Sequence, residues 1–260
     1  MTVAIRRVYP GLIILSLAVT LAGCATTAAN LPPEVPAMHS VSEFSDDENI
    51  ARVEDPWQGF NRSMYKFNYN FDKYFFIPVV DAYEFVLPTF AQTGVTNFFN
   101  NINEGRTFYN SLLQAKGTKA MITAGRFLTN TTLGIGGLFD PATSLGMKRQ
   151  TEDFGQTLGV WGVGHGPYFV LPVLGPGTTR SATGFVADTA IHSAVITSVK
   201  NSTTGMSDGQ KNVIANSLAG LKAIDNRHKM AFRYHDSGYP FEYELVQFLF
   251  IQSREMETMK

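Results

Sequence analysis

Side chains that commonly act in catalysis or hold metals are few in this sequence. No two of its five histidines lie three to five residues apart, the spacing of a local metal site; they stand at 39, 165, 192, 228 and 235. We find no phosphate-binding Gly-x-x-x-x-Gly-Lys loop and no His-Glu-x-x-His motif, and we expect no Gly-x-Ser-x-Gly nucleophile elbow. The sequence therefore predicts a protein that is not an enzyme and that holds no metal.

Cys24 is the residue whose surroundings indicate a covalent modification. It is the only cysteine, so it cannot form an intramolecular disulfide. Two early arginines, a short apolar run and the tripeptide Leu-Ala-Gly before Cys24 are typical of a secretory signal over residues 1–23. The cysteine is either incidental to that signal or the acylated residue of a bacterial lipobox, and Leu-Ala-Gly-Cys favours the lipobox. An aspartate directly after the cysteine would favour retention in the inner membrane. Residue 25 is alanine, so the outer membrane is favoured.

Residues 24–54 are predicted to form a flexible acidic tether, with covalent lipid on Cys24 as its anchor. Between Ala25 and Asp55 there are seven acidic side chains, one arginine and three prolines. The whole chain has a formal net charge of −1, yet the part after Asp55 has 18 lysines and arginines against 15 acidic residues, a net charge of +3. A mildly basic body suits an anionic lipid surface, whereas a nucleic-acid-binding protein usually shows a strongly basic face, so no nucleic-acid partner is expected.

Aromatic side chains are concentrated at the start of the part that we expect to fold. Sixteen of the 32 aromatic residues lie within residues 57–109. Phenylalanines recur there at helical spacing and predict a helix from Pro56 to about Phe76, with Asp55 as its N-cap. Apolar groups lie on nearly all sides of this helix, among tyrosines, lysines and asparagines. Such a helix is either buried in a protein core or in contact with lipid, and both interpretations stay open.

Further helices follow, and strands are scarce. Apolar periodicity and breaks at proline and glycine predict helices at 79–87, 88–103, 106–114, 118–132, 178–199, 207–234 and 239–257. A short extended piece is expected at 169–173. The sequence thus predicts an all-α domain over residues 55–253, followed by a frayed C-terminal tail over 254–260.

Residues 133–177 are rich in glycine and proline, which interrupt regular structure. Within them, residues 159–168 read Gly-Val-Trp-Gly-Val-Gly-His-Gly-Pro-Tyr, which suggests a loop or hairpin with apolar side chains on a pliable backbone. Either this segment moves during function, or it is a packed, irregular connector. The candidate positions for movement are Gly159, Gly162, Gly164, Gly166 and Pro167.

Several motifs together resemble one protein family. They are Asp-Pro-Trp-Gln-Gly-Phe-Asn-Arg at 55–62, Arg-Phe-Leu-Thr-Asn-Thr at 126–131, Leu-Gly-Ile-Gly-Gly at 133–137, Thr-Glu-Asp-Phe-Gly-Gln-Thr-Leu-Gly at 151–159 and Gly-Val-Gly-His-Gly-Pro-Tyr at 162–168. With the lipobox and tether before them, they resemble the VacJ-type (MlaA) phospholipid-transport lipoproteins of Gram-negative outer membranes. The resemblance covers residues 55–188, and the helices beyond match mainly by position and type.

The resemblance implies a fold, a location and an activity. The implied fold is a ring of amphipathic helices with a glycine-rich irregular segment, embedded in the periplasmic leaflet of the outer membrane around a central amphipathic channel. The family removes mislocalised phospholipids from the outer leaflet and passes them to a soluble periplasmic carrier, in association with trimeric porins. No bond is broken, and no cofactor is used.

Given such a channel, we also hypothesise which side chains act. Phe60, Asn61, Arg62, Tyr65 and Asn68 are candidates for setting the first helix or lining the channel, and the glycine segment at 159–167 is a candidate gate. The alternative, from a different class, is a structural lipoprotein that scaffolds outer-membrane porins without conducting lipid. A phospholipid hydrolase is disfavoured because no nucleophile motif is expected.

Overall fold

The computed structural model describes residues 55–260, which are mostly helical. Their elements are α1 (Gln58–Phe71), a π-helical turn (Asp72–Phe76), α2 (Ile77–Val86), α3 (Thr89–Leu113), α4 (Gly117–Thr132), α5 (Pro141–Ser144), α6 (Phe154–Val160), β1 (Tyr168–Leu171), β2 (Gly175–Thr178), α7 (Thr179–Ser202), α8 (Asp208–His228) and α9 (Glu242–Met259). β1 pairs antiparallel with β2. The predicted all-α fold class is confirmed. The predicted signal peptide, Cys24 and the tether up to residue 54 lie outside the described residues.

The first helix begins two residues later than predicted, at Gln58. The Asp55 carboxylate still accepts a hydrogen bond from the Trp57 backbone N–H at 3.2 Å, so it satisfies a donor just before the helix. The π-helical turn continues the helix to Phe76, the predicted end, and joins it directly to α2. A π-helical turn has more residues per turn than an α-helix, so the side chains after it point in a different direction from those of α1.

Two helices differ in length from those predicted. α3 is one continuous helix where two were expected, because its buried face runs through the expected break with Asn101, Glu104 and Thr107 at three-residue spacing. The helix accommodates Gly105, because packing of the buried face outweighs the weak helix propensity of a single glycine. α8, predicted to reach residue 234, ends six residues earlier.

The predicted frayed tail at 254–260 is wrong, because α9 continues to Met259. Arg254 makes a bidentate pair with Asp153 in which both N–O distances are 2.8 Å. Glu255 accepts a hydrogen bond from Arg180, also at 2.8 Å. Asp153 lies 101 positions before its partner, so long-range ion pairs hold this helix end in place.

Arg126, the largest fully buried side chain, ties three helices together. Its guanidinium donates to Glu104 of α3 at 2.7 Å, to Asp140 at 3.0 Å and to Thr143 of α5 at 3.0 Å. Asp140 also caps α5 by accepting the Thr143 backbone N–H at 3.1 Å. Burial alone raises the pKa of Asp140, but hydrogen bonds from Thr143 and Arg126 outweigh it and lower that pKa to about 2.

The elements form a closed circuit of packed neighbours. α1 continues through the π-helical turn into α2, α2 packs on α8, and α8 packs on α3. α3 contacts α4 and α6, and α6 contacts α7 and α9. α9 packs on β2, whose partner β1 lies against α1 and closes the circuit. The predicted ring-shaped arrangement corresponds to this circuit.

More polar than hydrophobic residues are buried in this fold, which is the reverse of an ordinary globular domain. Among the described residues, 22 polar or charged residues are buried and only 10 hydrophobic ones. The small hydrophobic core consists of Tyr65, Tyr168, Val170, Tyr243 and Ile251. Large hydrophobic side chains are exposed in many places, with Phe85 91% exposed and Phe90 80% exposed. Polar contacts therefore join the helices, while many large apolar side chains are exposed.

No single helix among the described residues has the length and apolar character needed to cross a membrane. One pair passes that test together by length and composition: Gln58–Val86 and Thr89–Leu113, which are separated by a bend of 118°. Phe85 and Phe90, both strongly exposed, lie on either side of this bend.

Candidate functional site

Asn61 joins α1 to the β-hairpin. Its side-chain carbonyl accepts the Val170 backbone N–H at 2.8 Å, and its amide donates to the Tyr168 carbonyl at 3.3 Å. One side chain thus pairs with the free edge of β1 as a neighbouring strand would. The amide also donates to Asp55 at 2.7 Å. Asn61 is completely buried by these contacts.

Asn68 repeats the contact two helical turns further along α1. Its side-chain carbonyl accepts the Val173 backbone N–H at 2.7 Å, and its amide donates to the Leu171 carbonyl at 2.9 Å. Because seven residues span two turns of an α-helix, both asparagines lie on one face of α1. Together they hold β1 along its whole length.

Tyr65 and Arg62 connect α1 to α9. The Tyr65 hydroxyl donates to Glu242 at 2.6 Å in a buried contact. Burial and the Glu242 carboxylate both raise the pKa of Tyr65, so the hydroxyl keeps its proton. Arg62 pairs with Glu244 and lies 4.6 Å over the ring of Tyr243. The start of α9 is therefore fixed to α1.

The five first-helix candidates divide into two groups. Asn61, Arg62, Tyr65 and Asn68 bind α1 to the hairpin and to α9, whereas the Phe60 side chain is 54% exposed. The structure brings four of them together in one packed interface and places none of those four around an open space.

The glycine segment leads into the hairpin and does not form it. Gly159 lies inside α6, where a methyl group would stand 2.4 Å from Thr258 Cγ2, so this glycine permits close packing against α9. Gly162 and Gly166 have φ angles of +89° and +67°, which side chains other than glycine rarely allow. Gly164 has open space where a side chain would begin. The predicted gate positions thus have three different structural roles.

The β-hairpin follows Pro167, whose carbonyl accepts the Thr179 backbone N–H at 3.2 Å. At the hairpin tip, Val173 has a φ of +68°, an unusual conformation for a β-branched residue. The hydrogen bond from its N–H to Asn68 stabilises that conformation. Leu174, next to it, is 60% exposed.

A cavity of about 260 Å³ lies between the hairpin, α7, α9 and the middle of α3. Its apolar wall consists of Phe169, Leu171, Leu174, Phe185 and Phe250. Its charged groups are Arg106, Asp153, Asp188 and Arg254. The cavity is therefore amphipathic.

Both carboxylates of the cavity are already bound. Asp188 accepts hydrogen bonds from the Tyr109 hydroxyl at 2.5 Å and from the first backbone N–H of α6 at 3.1 Å. Asp153 is held by Arg254, and although burial alone raises its pKa, this ion pair outweighs burial and lowers it. The Arg106 guanidinium donates no hydrogen bond and forms no ion pair within residues 55–260, whereas the Arg106 backbone carbonyl accepts the Asn110 side-chain amide at 3.1 Å.

Sequence reasoning missed Arg106, Phe185 and Phe250, which no motif marks. Arg106 follows Asn103 by one turn of α3 and lies on the polar side of that helix. A single cation on a helix rich in asparagine was the available signal, and it is weak without knowledge of what faces it.

The expectation that no Gly-x-Ser-x-Gly pattern occurs was wrong, since residues 205–209 read Gly-Met-Ser-Asp-Gly. The pattern is a helix cap: the Ser207 hydroxyl accepts the Gln210 backbone N–H at 3.3 Å at the start of α8. A nucleophile elbow needs a strand before its serine, and here α7 precedes it. In the described part of the chain, no three His, Cys, Asp or Glu side chains form a group that could hold a metal.

A closed circuit of helices with polar interfaces, many exposed apolar side chains and an amphipathic cavity defines a helical protein whose surface suits contact with lipid. The chain belongs to the MlaA lipoprotein family, whose model matches residues 53–257. The family resemblance predicted from the motifs is confirmed.

Curated relatives cover about half of the chain. The intermembrane phospholipid transport system lipoprotein MlaA of Escherichia coli K12 is 42% identical over 138 residues, 52% of this chain and 55% of that protein. The protein of the same name from Haemophilus influenzae is 34% identical over 157 residues, 59% of this chain and 63% of that protein. An uncharacterised protein of Rickettsia prowazekii is 38% identical over 141 residues, 54% of this chain and 56% of that protein. The chain thus spans little more than half the length of these relatives.

A solved structure covers more of the chain. It is described as "Structural basis for maintenance of bacterial outer membrane lipid asymmetry", and the match has a TM-score of 0.63 at 30% sequence identity. The match covers 79% of this chain and 100% of that chain. The similarity therefore includes elements beyond the segment shared with the curated relatives.

Proposed function

We propose that this protein is an outer-membrane lipoprotein that removes mislocalised phospholipids from the outer leaflet and passes them to a soluble periplasmic carrier. Lipid on Cys24 anchors the chain, the helical body lies in the periplasmic leaflet, and trimeric porins are its partners there. The phospholipid passes through a central amphipathic channel, and no bond is broken. The transport maintains the lipid asymmetry of the outer membrane.

The inverted burial is the observation that carries this proposal. Apolar surface exposed to water costs about 25 cal/mol per Å² relative to burial, whereas contact with acyl chains removes that cost. A ring within one leaflet needs apolar side chains outside and polar contacts between its helices. The described residues have this pattern, with Phe85 and Phe90 among the exposed side chains. The amphipathic cavity adds support, because a phospholipid has a charged headgroup and apolar chains.

The β-hairpin is the part of the proposed channel that moves. Leu174 at its tip lines the cavity, so a displacement of the tip changes the width of the cavity. Gly162 and Gly166, in the connection that leads into the hairpin, adopt conformations that favour glycine. Rotation at these two positions would move β1, and the asparagines of α1 would hold it in its resting position.

Transfer of labelled lipid tests the proposal. Purified full-length protein and its porin are placed in vesicles that contain labelled phospholipid, purified carrier is added, and label on the carrier is followed with time. We expect transfer that depends on the protein. Phe185→Asp places a charge on the apolar wall and should slow transfer several-fold. Met230→Asp is the matched control, because Met230 is 51% exposed, Phe185 is 53% exposed, and Met230 does not line the cavity.

The alternative is a lipoprotein that scaffolds porins without conducting lipid. The exposed apolar surface also suits a protein neighbour in the membrane. A scaffold predicts porin binding with no bound phospholipid and no transfer. If porin is bound and label never reaches the carrier, the transport proposal is wrong.

A further inference from the structure

The helix formed by α1 and the π-helical turn has three different faces, which the sequence shows as a repeated triplet. An apolar residue is followed by a buried polar one and then by a cation or a tyrosine: residues 60–62, 64–66, 67–69 and 71–73 read Phe-Asn-Arg, Met-Tyr-Lys, Phe-Asn-Tyr and Phe-Asp-Lys. The triplets start three or four residues apart, so each of their positions forms a stripe along the helix. Successive residues are rotated by about 100° around the axis, so the third stripe lies about 200° from the first, on nearly the opposite side.

The middle stripe faces the rest of the protein. Its members Asn61 and Asn68 hold the β-hairpin, and Tyr65 holds Glu242 of α9. Asp72, the last member, accepts hydrogen bonds from Arg227 of α8 at 2.5 Å and 2.7 Å. The middle stripe is thus fully used in packing, and the two stripes beside it are what the helix presents to its surroundings.

The first stripe is an exposed row of phenylalanine rings. The rings of Phe67 and Phe71 lie 5.9 Å apart and those of Phe71 and Phe75 lie 5.0 Å apart, so the row continues through the π-helical turn. Phe60, Phe67 and Phe75 leave about half of each side chain exposed. This apolar surface runs along the whole length of the helix.

The third stripe carries positive charge without carboxylate partners. Lys66 is exposed and makes no side-chain hydrogen bond or ion pair within residues 55–260. Lys73 is also exposed and donates to the Tyr69 hydroxyl at 3.3 Å. Arg62, at the start of the stripe, is paired with Glu244. The one carboxylate of this helix lies on the buried middle stripe, so two ammonium groups remain for an anionic neighbour.

We propose that this helix lies parallel to the bilayer plane, with the phenylalanine row among acyl chains and with Lys66 and Lys73 at the phosphates of the periplasmic leaflet. A helix with an apolar face opposite a lysine-bearing face lies in the membrane interface, and tyrosines such as Tyr69 suit the headgroup level. A leaflet offers acyl chains and phosphates at two depths along the whole helix, which matches two parallel stripes of opposite character. The two lysines are about 10 Å apart along the axis, so each contacts a different headgroup.

This orientation fixes which rim of the circuit faces water, namely the rim on the side of Lys66 and Lys73. The middle stripe lies between the other two, so the β-hairpin that it holds lies at the level of the helix axis, between phosphates and acyl chains. The inference rests on the proposed location in one leaflet and adds the orientation of the protein within it.

Spin labels measure the depth of each stripe. Full-length protein in vesicles of phosphatidylethanolamine and phosphatidylglycerol receives one nitroxide-labelled cysteine at a time, in Phe60→Cys, Phe67→Cys, Phe75→Cys, Lys66→Cys or Lys73→Cys. Relaxation by oxygen, which concentrates among acyl chains, is compared with relaxation by a water-soluble nickel chelate. We expect the oxygen-to-nickel ratio to be at least about tenfold higher at the phenylalanine positions than at the lysine positions. The unaltered chain, with Cys24 as its only cysteine, gives the background.

The three phenylalanine positions also report the tilt of the helix. They span about 22 Å along the axis, and in a helix parallel to the membrane their ratios should agree within about twofold. A ratio that changes steadily from residue 60 to residue 75 would mean that the helix crosses the leaflet. Exclusion of both reagents from these positions would mean that a protein covers the phenylalanine row. Either result contradicts the inference.

Charge reversal tests the contact with phosphate. With the label at Phe67→Cys, the pair Lys66→Glu and Lys73→Glu should lower the oxygen-to-nickel ratio at least about threefold, because the phosphates repel the new carboxylates. The melting temperature should stay unchanged, since both lysines are exposed. Lys148→Glu with Lys260→Glu is the matched control: both are exposed lysines outside this helix without an ion pair within residues 55–260. An equal ratio in the two double variants would contradict the role of Lys66 and Lys73.

Failure of this inference can be told from failure of the proposed function. If the depths differ from those expected while label still reaches the carrier, only the orientation is wrong. If Phe85→Cys is also reached only by the nickel chelate, and no label reaches the carrier, the proposed location and transport are wrong as well.

Discussion

At the residue scale, the side-chain amides of Asn61 and Asn68 form hydrogen bonds of the kind that a neighbouring strand would form. Asn61 satisfies the buried Val170 N–H and Tyr168 carbonyl on the edge of β1. Asn68 satisfies the Leu171 carbonyl at the end of β1 and the Val173 N–H at the hairpin tip. Their value lies in geometry: a side-chain amide presents a donor and an acceptor at once, as a peptide group does.

Asn61→Ala should lower the free energy of unfolding by about 1–3 kcal/mol, because the buried Val170 N–H loses its acceptor. Denaturant unfolding in detergent measures the loss. Ser63→Ala is the control, since Ser63 is exposed on the same helix and contacts only the Gly59 carbonyl. Equal stability of the two variants would show that Asn61 does not bind the hairpin in this way.

Asp140 predicts a dependence of stability on pH. Its pKa in the folded protein is about 2, below the ordinary value of about 3.9, so folding favours the carboxylate. The resulting stabilisation, about 2 kcal/mol, is present above about pH 4 and is lost as the pH falls toward 2. Asp140→Asn should be less stable at neutral pH and should show a flatter profile between about pH 4 and 2. Unfolding measured across that range checks this, and an unchanged slope would assign the acid sensitivity to another group.

At the element scale, the connection into the hairpin can be tested one glycine at a time. Gly162 and Gly166 have positive φ, where alanine costs about 1–2 kcal/mol, and a methyl group at Gly166 would also stand 3.0 Å from Thr179. Gly162→Ala and Gly166→Ala should therefore slow lipid transfer several-fold. Gly164→Ala meets open space and should transfer at the normal rate. If all three variants leave transfer and outer-leaflet phospholipid unchanged, the segment is a packed connector and not a gate.

Helix bounds that depend on local sequence patterns were predicted, whereas bounds that depend on contacts between residues far apart in the chain were missed. Apolar periodicity located α4 to within one residue at its start, since Gly117 begins the helix predicted from 118. The end of α9 depends on the pair between Arg254 and Asp153, which no local pattern reveals. The same applies to the candidate site: Asn61 stands in a recognisable motif, while the importance of Arg106 depends on what α7, α8 and the hairpin place opposite it.

At the scale of the whole molecule, the apolar exterior predicts binding to membranes without the lipid anchor. A Cys24→Ser variant should still float with vesicles of phosphatidylethanolamine and phosphatidylglycerol. Adding Phe85→Asp should reduce the floated fraction several-fold, because a charge at a 91% exposed position opposes contact with acyl chains and leaves the packing intact. Thr204→Asp, in an exposed loop, is the control. Flotation that is insensitive to Phe85→Asp would show that this surface does not meet lipid.

The polar packing between the helices also determines where the protein is most stable. Hydrogen bonds and ion pairs such as those of Arg126 compete with water in an aqueous setting and strengthen when the surrounding dielectric constant falls. In the proposed location, acyl chains around the circuit would exclude water from the edges of these interfaces. The membrane would then act as a folding partner. Under the proposed function, insertion and consolidation of the tertiary structure should proceed together, and the chain in the periplasm should be looser than the chain in the membrane.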